Sequence, residues 1–272
     1  MMPPPYVLEN VFLIGSATLL CSLVHARKIG NRLPYFSAYV DFMLVSNVFG
    51  ALLLWKFGFH SAANYYGVWI SYALVLVARS GAMAELCWNC LRAYSGIWAL
   101  AWRLFTLMAA VLMAHAAWDT GGQPHWIEAY LLTLEKDINI STFLILAAML
   151  LMSHYYKIHL ERFQQWIALG ICFYCVTAFA NGSVLRDFLL PLFPAGSSTI
   201  SRMNGINDIS TLVDVAASGL TFGAWSVLLF RPLSKPAGEP GLLPAGVYGE
   251  MSPAVNLQLR EFNDRILEML RS

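Results

Sequence analysis

The sequence predicts an all-α fold: a polytopic membrane bundle of seven transmembrane helices, followed by a short cytoplasmic amphipathic helix at the C-terminus. Three observations predict it. Of 272 residues, 58% are hydrophobic and 12% charged, against about 25% charged in ordinary soluble domains. Too few polar side chains are available to cover a globule, so much of the surface must face lipid. Seven apolar stretches approach or exceed the ~20 residues needed to cross about 30 Å of hydrocarbon. The Lys and Arg residues between them fall mostly on alternate sides.

The stretches are residues 6–26, 34–55, 65–91, 97–118, 138–156, 165–184 and 206–230. The first follows Met1-Met2-Pro3-Pro4-Pro5, which lacks a basic n-region, and no small-residue cleavage site comes after it; it reads as a retained helix. The second begins at Pro34, a residue suited to a first helical turn. The third holds Arg79 and Glu85, which weaken its hydropathy, but its length leaves a span as the fitting assignment. The fourth ends at Trp118. The fifth extends outward through residues 126–137 as an amphipathic helix above the membrane.

Orientation follows from basic residues near span ends. Arg27, Lys28, Arg32, Arg92, Lys157, Arg162, Arg231 and Lys235 share one side, joined by Arg260, Arg265 and Arg271 of the tail; Lys56, Arg186 and Arg202 lie on the other. The bias puts the N-terminus outside and the C-terminus in the cytoplasm. Three segments result: a transmembrane domain over 1–230, a cytoplasmic linker over 231–251 carrying Pro232, Pro236, Pro240 and Pro244, and an amphipathic helix over 252–272. Ser252-Pro253 gives that helix an N-cap and a first-turn proline. Val255, Leu259, Phe262, Ile266, Met269 and Leu270 recur at helical spacing. It is expected to lie on the membrane, pack under the bundle or grip a protein partner.

Ionisable residues inside a membrane are costly unless paired or hydrated, so they lead the search for a site. At ~1.5 Å per residue, Asp41, Glu85 and Arg103 fall at similar depth in the inner leaflet. A Glu85–Arg103 pair between consecutive helices is the simplest arrangement, and Asp41 is a candidate partner for Arg79. This charged network is either a polar, proton-responsive cavity or a set of ion pairs that locks helix register. On the seventh span Asn207, Thr211, Asp214, Ser218 and Thr221 form one polar stripe. Small and hydroxyl residues commonly mediate helix packing in membranes; a carboxylate is rarely needed for packing alone. Asp214 and Thr211, with Asp208 and with Glu135, Lys136 and Asp137 of the fifth span, are candidates to line an outward-facing ligand pocket, or else to form a Lys136–Asp pair.

Other chemistries find little support. Cys87-Trp88-Asn89-Cys90 and Cys172-Phe173-Tyr174-Cys175 resemble metal or redox motifs, but both lie within spans at different depths. With Cys21 they read as small packing residues, and no metal or cofactor is predicted. His60, His115 and His125 are expected at the outer side, His25, His154 and His159 at the inner. No phosphate loop, HExxH motif or Ser/His/Asp arrangement supports an enzyme. A net charge of +1 argues against a nucleic-acid surface. The seventh span has no lysine for a retinal Schiff base. Spans one to three and five to seven show no convincing repeat of the kind common in transporters.

Several segments are shared with a known family: Tyr65-Tyr66 at the start of span three, and Glu85 followed by Leu91-Arg92 at its end. Leu134-Glu135-Lys136-Asp137 leads into span five, Trp225 precedes Arg231-Pro232, and Leu259-Arg260-Glu261-Phe262-Asn263 lies in the terminal helix. Through them nearly the whole chain resembles an uncharacterised family of seven-span proteins of Acidobacteria, with Phe262 where that family would carry a tryptophan. The resemblance implies the seven-span architecture and a bacterial inner-membrane home. The functional expectation is a non-enzymatic protein of sensory or scaffold type. A small-solute or proton-coupled transporter and an accessory subunit of a larger complex are the alternatives.

Overall fold

The computed structural model describes residues 4–58, 61–92, 94–122, 126–155, 160–185, 199–230 and 253–271. The expected linker 231–251, and Lys157, Arg186, Arg231, Lys235, His60, His125 and His159, lie outside the described residues. Among the described residues the chain is all-helical. Helices α1 (Pro4–Ala26), α2 (Pro34–Phe57), α3 (Ala62–Leu91), α4 (Ser95–Asp119), α5 (Trp126–Tyr155), α6 (Arg162–Ala180), α7 (Thr199–Phe230) and α8 (Pro253–Arg271) follow one another. Six of them, α2 to α7, are long and apolar enough to cross a membrane, whereas the described apolar part of α1, Asn10–Ala26, is shorter. The chain is therefore a helical bundle of membrane-protein character. Helices α3 and α5 each run 30 residues without a break, about 45 Å at 1.5 Å per residue. Residues 126–137 are thus continuous with the apolar part of α5.

Short connections join α1 through α6 in order, and each of these helices packs against the next. The core sits at one end, here called the Arg32 end. Leu20 and Val24 from α1, Phe36 and Val40 from α2, Leu86 from α3, Ile167 and Ile171 from α6, and Trp225 and Leu229 from α7 are almost fully buried there. The Phe36 ring meets the Trp225 ring edge-on with centroids 5.2 Å apart. The Trp225 Nε1–H donates to the Trp166 carbonyl at 3.2 Å. Gly170 makes room for that indole, since a β-carbon there would collide with it.

Local signals fix the helix ends. The Ser61 hydroxyl accepts the Asn64 N–H at 3.1 Å and caps α3, satisfying one of the donors a helix start leaves open. The start of α2 has no side-chain cap of its own. Glu85 supplies one from α3, accepting the N–H groups of Phe36 at 2.9 Å and Tyr35 at 3.3 Å. A carboxylate at a helix N-terminus also meets the positive end of the helix dipole. That geometry replaces the expected Glu85–Arg103 pair: Arg103 is exposed on α4.

Helix α4 stands apart. No residue in its most apolar stretch is buried, and an apolar groove of about 580 Å³, lined by Leu76, Ser80, Phe105, Leu112 and Thr142 among others, opens between it and α3 and α5. Helix α8 packs on the first turn of α4, where the Gly96 N–H donates to Asn263 Oδ1 at 2.8 Å. The apolar stripe of α8 is only partly covered: Ile266 is buried, while Phe262 and Met269 are exposed.

Candidate functional site

The most heavily ionisable interior of the bundle is built around Arg79, halfway along α3. Arg79 is 3% exposed, and an arginine so placed needs partners of its own. Its Nη2 donates to Asn139 Oδ1 on α5 at 2.7 Å. The face of Tyr174, on α6, lies 5.2 Å from the guanidinium carbon, a cation–π geometry. Tyr39 of α2 and Glu135 of α5 are close enough to act on it electrostatically.

Helical spacing explains the arrangement. Glu135 and Asn139 are i and i+4 on α5, so both turn to the same inward face. Tyr72 lies two turns before Arg79 on α3 and is within electrostatic reach of the Glu135 carboxyl group. One α5 face thereby offers Arg79 a neutral acceptor in Asn139 and a nearby negative charge in Glu135. Asp137 points elsewhere, accepting His115 Nδ1 of α4 at 2.8 Å.

Asp214 of α7 joins the same interior. It is half-buried and lies within electrostatic reach of Asn181 and Glu135. Asn181 opens a five-residue π-helical turn, Asn181–Leu185, at the end of α6, where the sequence predicts an unbroken helix. Its Nδ2 also donates to the Ser210 carbonyl at 2.9 Å. Such turns occur frequently at functional sites; here the irregularity brings a side-chain amide to an α7 carbonyl, one turn from Asp214. Among the described residues, Arg79 Nε and Asn181 Oδ1 have no hydrogen-bond partner.

The residues singled out from sequence are thus divided. Arg79, Glu135 and Asp214 belong to one network, and Thr211 is half-buried one turn away on α7. Asp137 is bound to α4, and Lys136 and Asp208 are exposed. Asp41 does not reach Arg79: its carboxylate lies against Cys21 and His25. Glu85 caps α2 and Arg103 faces outward. Sequence reasoning missed Asn139, Tyr72, Tyr174 and Asn181. A signal for Asn139 was present, since it falls one turn after Glu135 on the same face. No family model, curated protein or solved structure matches the chain.

Proposed function

We propose that the protein is a non-enzymatic membrane protein of sensory or receptor-like type, in which α4 carries a change at one end of the bundle to the terminal helix at the other. The proposal includes seven spans in a bacterial inner membrane, with the N-terminus outside and α8 cytoplasmic, as the distribution of basic residues favours. Glu135, Asp214, Thr211 and Asn181 would meet a ligand or partner at the outer half, and the exposed Phe262 and Met269 of α8 would face a protein partner.

The single observation that carries this reading is the way α4 is held. Its apolar stretch is unburied, and its polar attachments are His115–Asp137 near one end and Gly96–Asn263 at the other. Helix α5 presents Glu135 and Asn139 to the interior network and Asp137 to α4, so a change among the first two is mechanically connected to the third. An element held weakly in this manner suits a two-state device, because a small difference in contacts is enough to bias it.

The test is amide hydrogen exchange on the detergent-solubilised protein. Asp137→Asn weakens the outer attachment of α4; exchange in residues 253–271, at the far end of α4, is expected to rise at least several-fold. Unchanged exchange in that segment, with α4 itself loosened, would remove the sensory reading.

A transporter of small solutes or protons is the second reading. It draws support from the Arg79–Glu135–Asp214 network, which sits where a membrane-embedded relay would. Flux in proteoliposomes left unchanged by both Arg79→Gln and Asp214→Asn counts against it.

A further inference from the structure

We propose that Cys21, His25 and Asp41 form a binding site for a zinc-type divalent metal ion on the seam between α1 and α2. The site is independent of the Arg79 network and of the sensory reading. Cys21 and His25 are i and i+4 in the last turns of α1 and therefore share a face. Asp41, in the second turn of α2, is brought to that face by the antiparallel packing of the two helices. One ligand atom from each residue lies within 4.8 Å of the others.

Two of the three ligand pairs lie at separations that a metal ion can span. Cys21 Sγ is 3.2 Å from Asp41 Oδ1, and His25 Nε2 is 3.7 Å from Asp41 Oδ2. With Zn–S near 2.3 Å and Zn–N or Zn–O near 2.0–2.2 Å, adjacent ligands of a tetrahedral ion are about 3.3–3.7 Å apart. The imidazole is also set for the task. His25 Nδ1 lies 3.0 Å from the Cys21 carbonyl oxygen. With the proton on Nδ1 directed there, Nε2 keeps its lone pair for an ion, which is the usual outer-shell arrangement of a metal-bound histidine.

Electrostatics give an independent reason. Asp41 is a carboxylate within a membrane-crossing helix, its side chain 41% exposed, where an uncompensated charge is costly. A divalent ion bound by one thiolate, one carboxylate and a neutral imidazole makes a site of zero net charge. The thiol proton now directed at Asp41 leaves to solvent as the S–metal bond forms, so binding releases one proton. Three protein ligands leave a fourth position for water or a further group. His25 is one residue from the end of α1 and its side chain is 60% exposed, which gives an ion a route from the aqueous phase.

The experiment uses the full chain in mild detergent, stripped with chelator and titrated with Co²⁺. A thiolate-to-cobalt charge-transfer band is expected, together with tetrahedral d–d bands and displacement by Zn²⁺. Cys21→Ser should abolish the thiolate band, and His25→Ala and Asp41→Asn should each weaken binding roughly tenfold or more. Cys90→Ser, a buried thiol elsewhere in the bundle, should leave the titration unchanged. On the unmutated protein, Zn²⁺ should slow maleimide labelling of Cys21 at least tenfold, a readout that does not depend on any variant folding. Absence of the cobalt band, its survival in Cys21→Ser, or labelling of Cys21 indifferent to Zn²⁺ would each overturn the proposal.

Discussion

Helices α7 and α4 are both long, apolar and membrane-like in sequence, yet they are held in opposite ways. Helix α7 buries Phe222, Trp225 and Leu229 against α1, α2 and α6, and its last carbonyl, that of Phe230, accepts the Arg27 guanidinium at 3.1 Å. Helix α4 turns Leu104, Leu107 and Val111 outward, and the apolar groove opens between much of its length and α3. The difference teaches that hydropathy alone does not report how strongly a span is held. In a bilayer, apolar surface gains little by leaving lipid for protein, and association depends on close packing and polar contacts. Trp225 fits against Gly170 and Phe36 deep in the core; α4 has one comparable ring contact, Trp98 edge-on to Trp88 of α3 with centroids 5.0 Å apart near its start, and no buried residue along its most apolar stretch.

The largest expected effect breaks the tight side of this comparison. Trp225→Ala removes a fully buried indole and leaves a cavity between α2, α6 and α7, at a cost of about 3–5 kcal/mol. Trp102→Ala, half exposed beside the groove, should stay within about 1 kcal/mol, the range of a substitution that opens no core cavity. Reversible denaturation of both variants in detergent measures the pair. Equal losses would mean that α4 is held as firmly as α7.

A second, smaller effect concerns the polar interior. Asn139→Leu leaves Arg79 without its 2.7 Å acceptor, and loss of a hydrogen bond to a charged group costs about 1.5–3 kcal/mol. Adding Arg79→Met should recover part of that loss, because a buried charge without a partner is worse than an apolar side chain of similar size. The same denaturation assay reads both variants. A double variant no more stable than Asn139→Leu would mean that Glu135, Tyr174 and Tyr39 already satisfy Arg79.

The fold was largely legible in the sequence because span length and apolar content act locally. Predicted starts and ends for residues 34–55 and 65–91 fall within a few residues of α2 and α3. The partners were less legible. Glu85 had to find a donor, but the donors it finds are backbone N–H groups of α2, which carry no sequence signature. Arg79 needed an acceptor, and the structure supplies an uncharged amide where a search for opposite charge points to Asp41. Cys21 and His25 share a helix face by spacing alone; the third member of that cluster needed the α1–α2 packing. The π-helical turn coincides with Asn181-Gly182-Ser183, a polar break in the apolar run that an assignment by span length passes over.

The smallest expected effect falls on the loose side of the comparison. Asp137→Asn keeps the size of the side chain and removes its charge from the contact with His115, whose side chain is 59% exposed. Ion pairs in that setting contribute about 0.2–1 kcal/mol, so the denaturation midpoint should barely move. Local behaviour should change more than global stability, because the contact is a polar attachment of a helix whose most apolar stretch is unburied. Segments of that kind open with free energies far below the global value. Protection of the α4 amides near His115 should therefore fall while the amides of α7 around Trp225 stay protected. A parallel loss in both helices would show that α4 unfolds only with the bundle, and the contrast between α4 and α7 would then concern packing without independent motion.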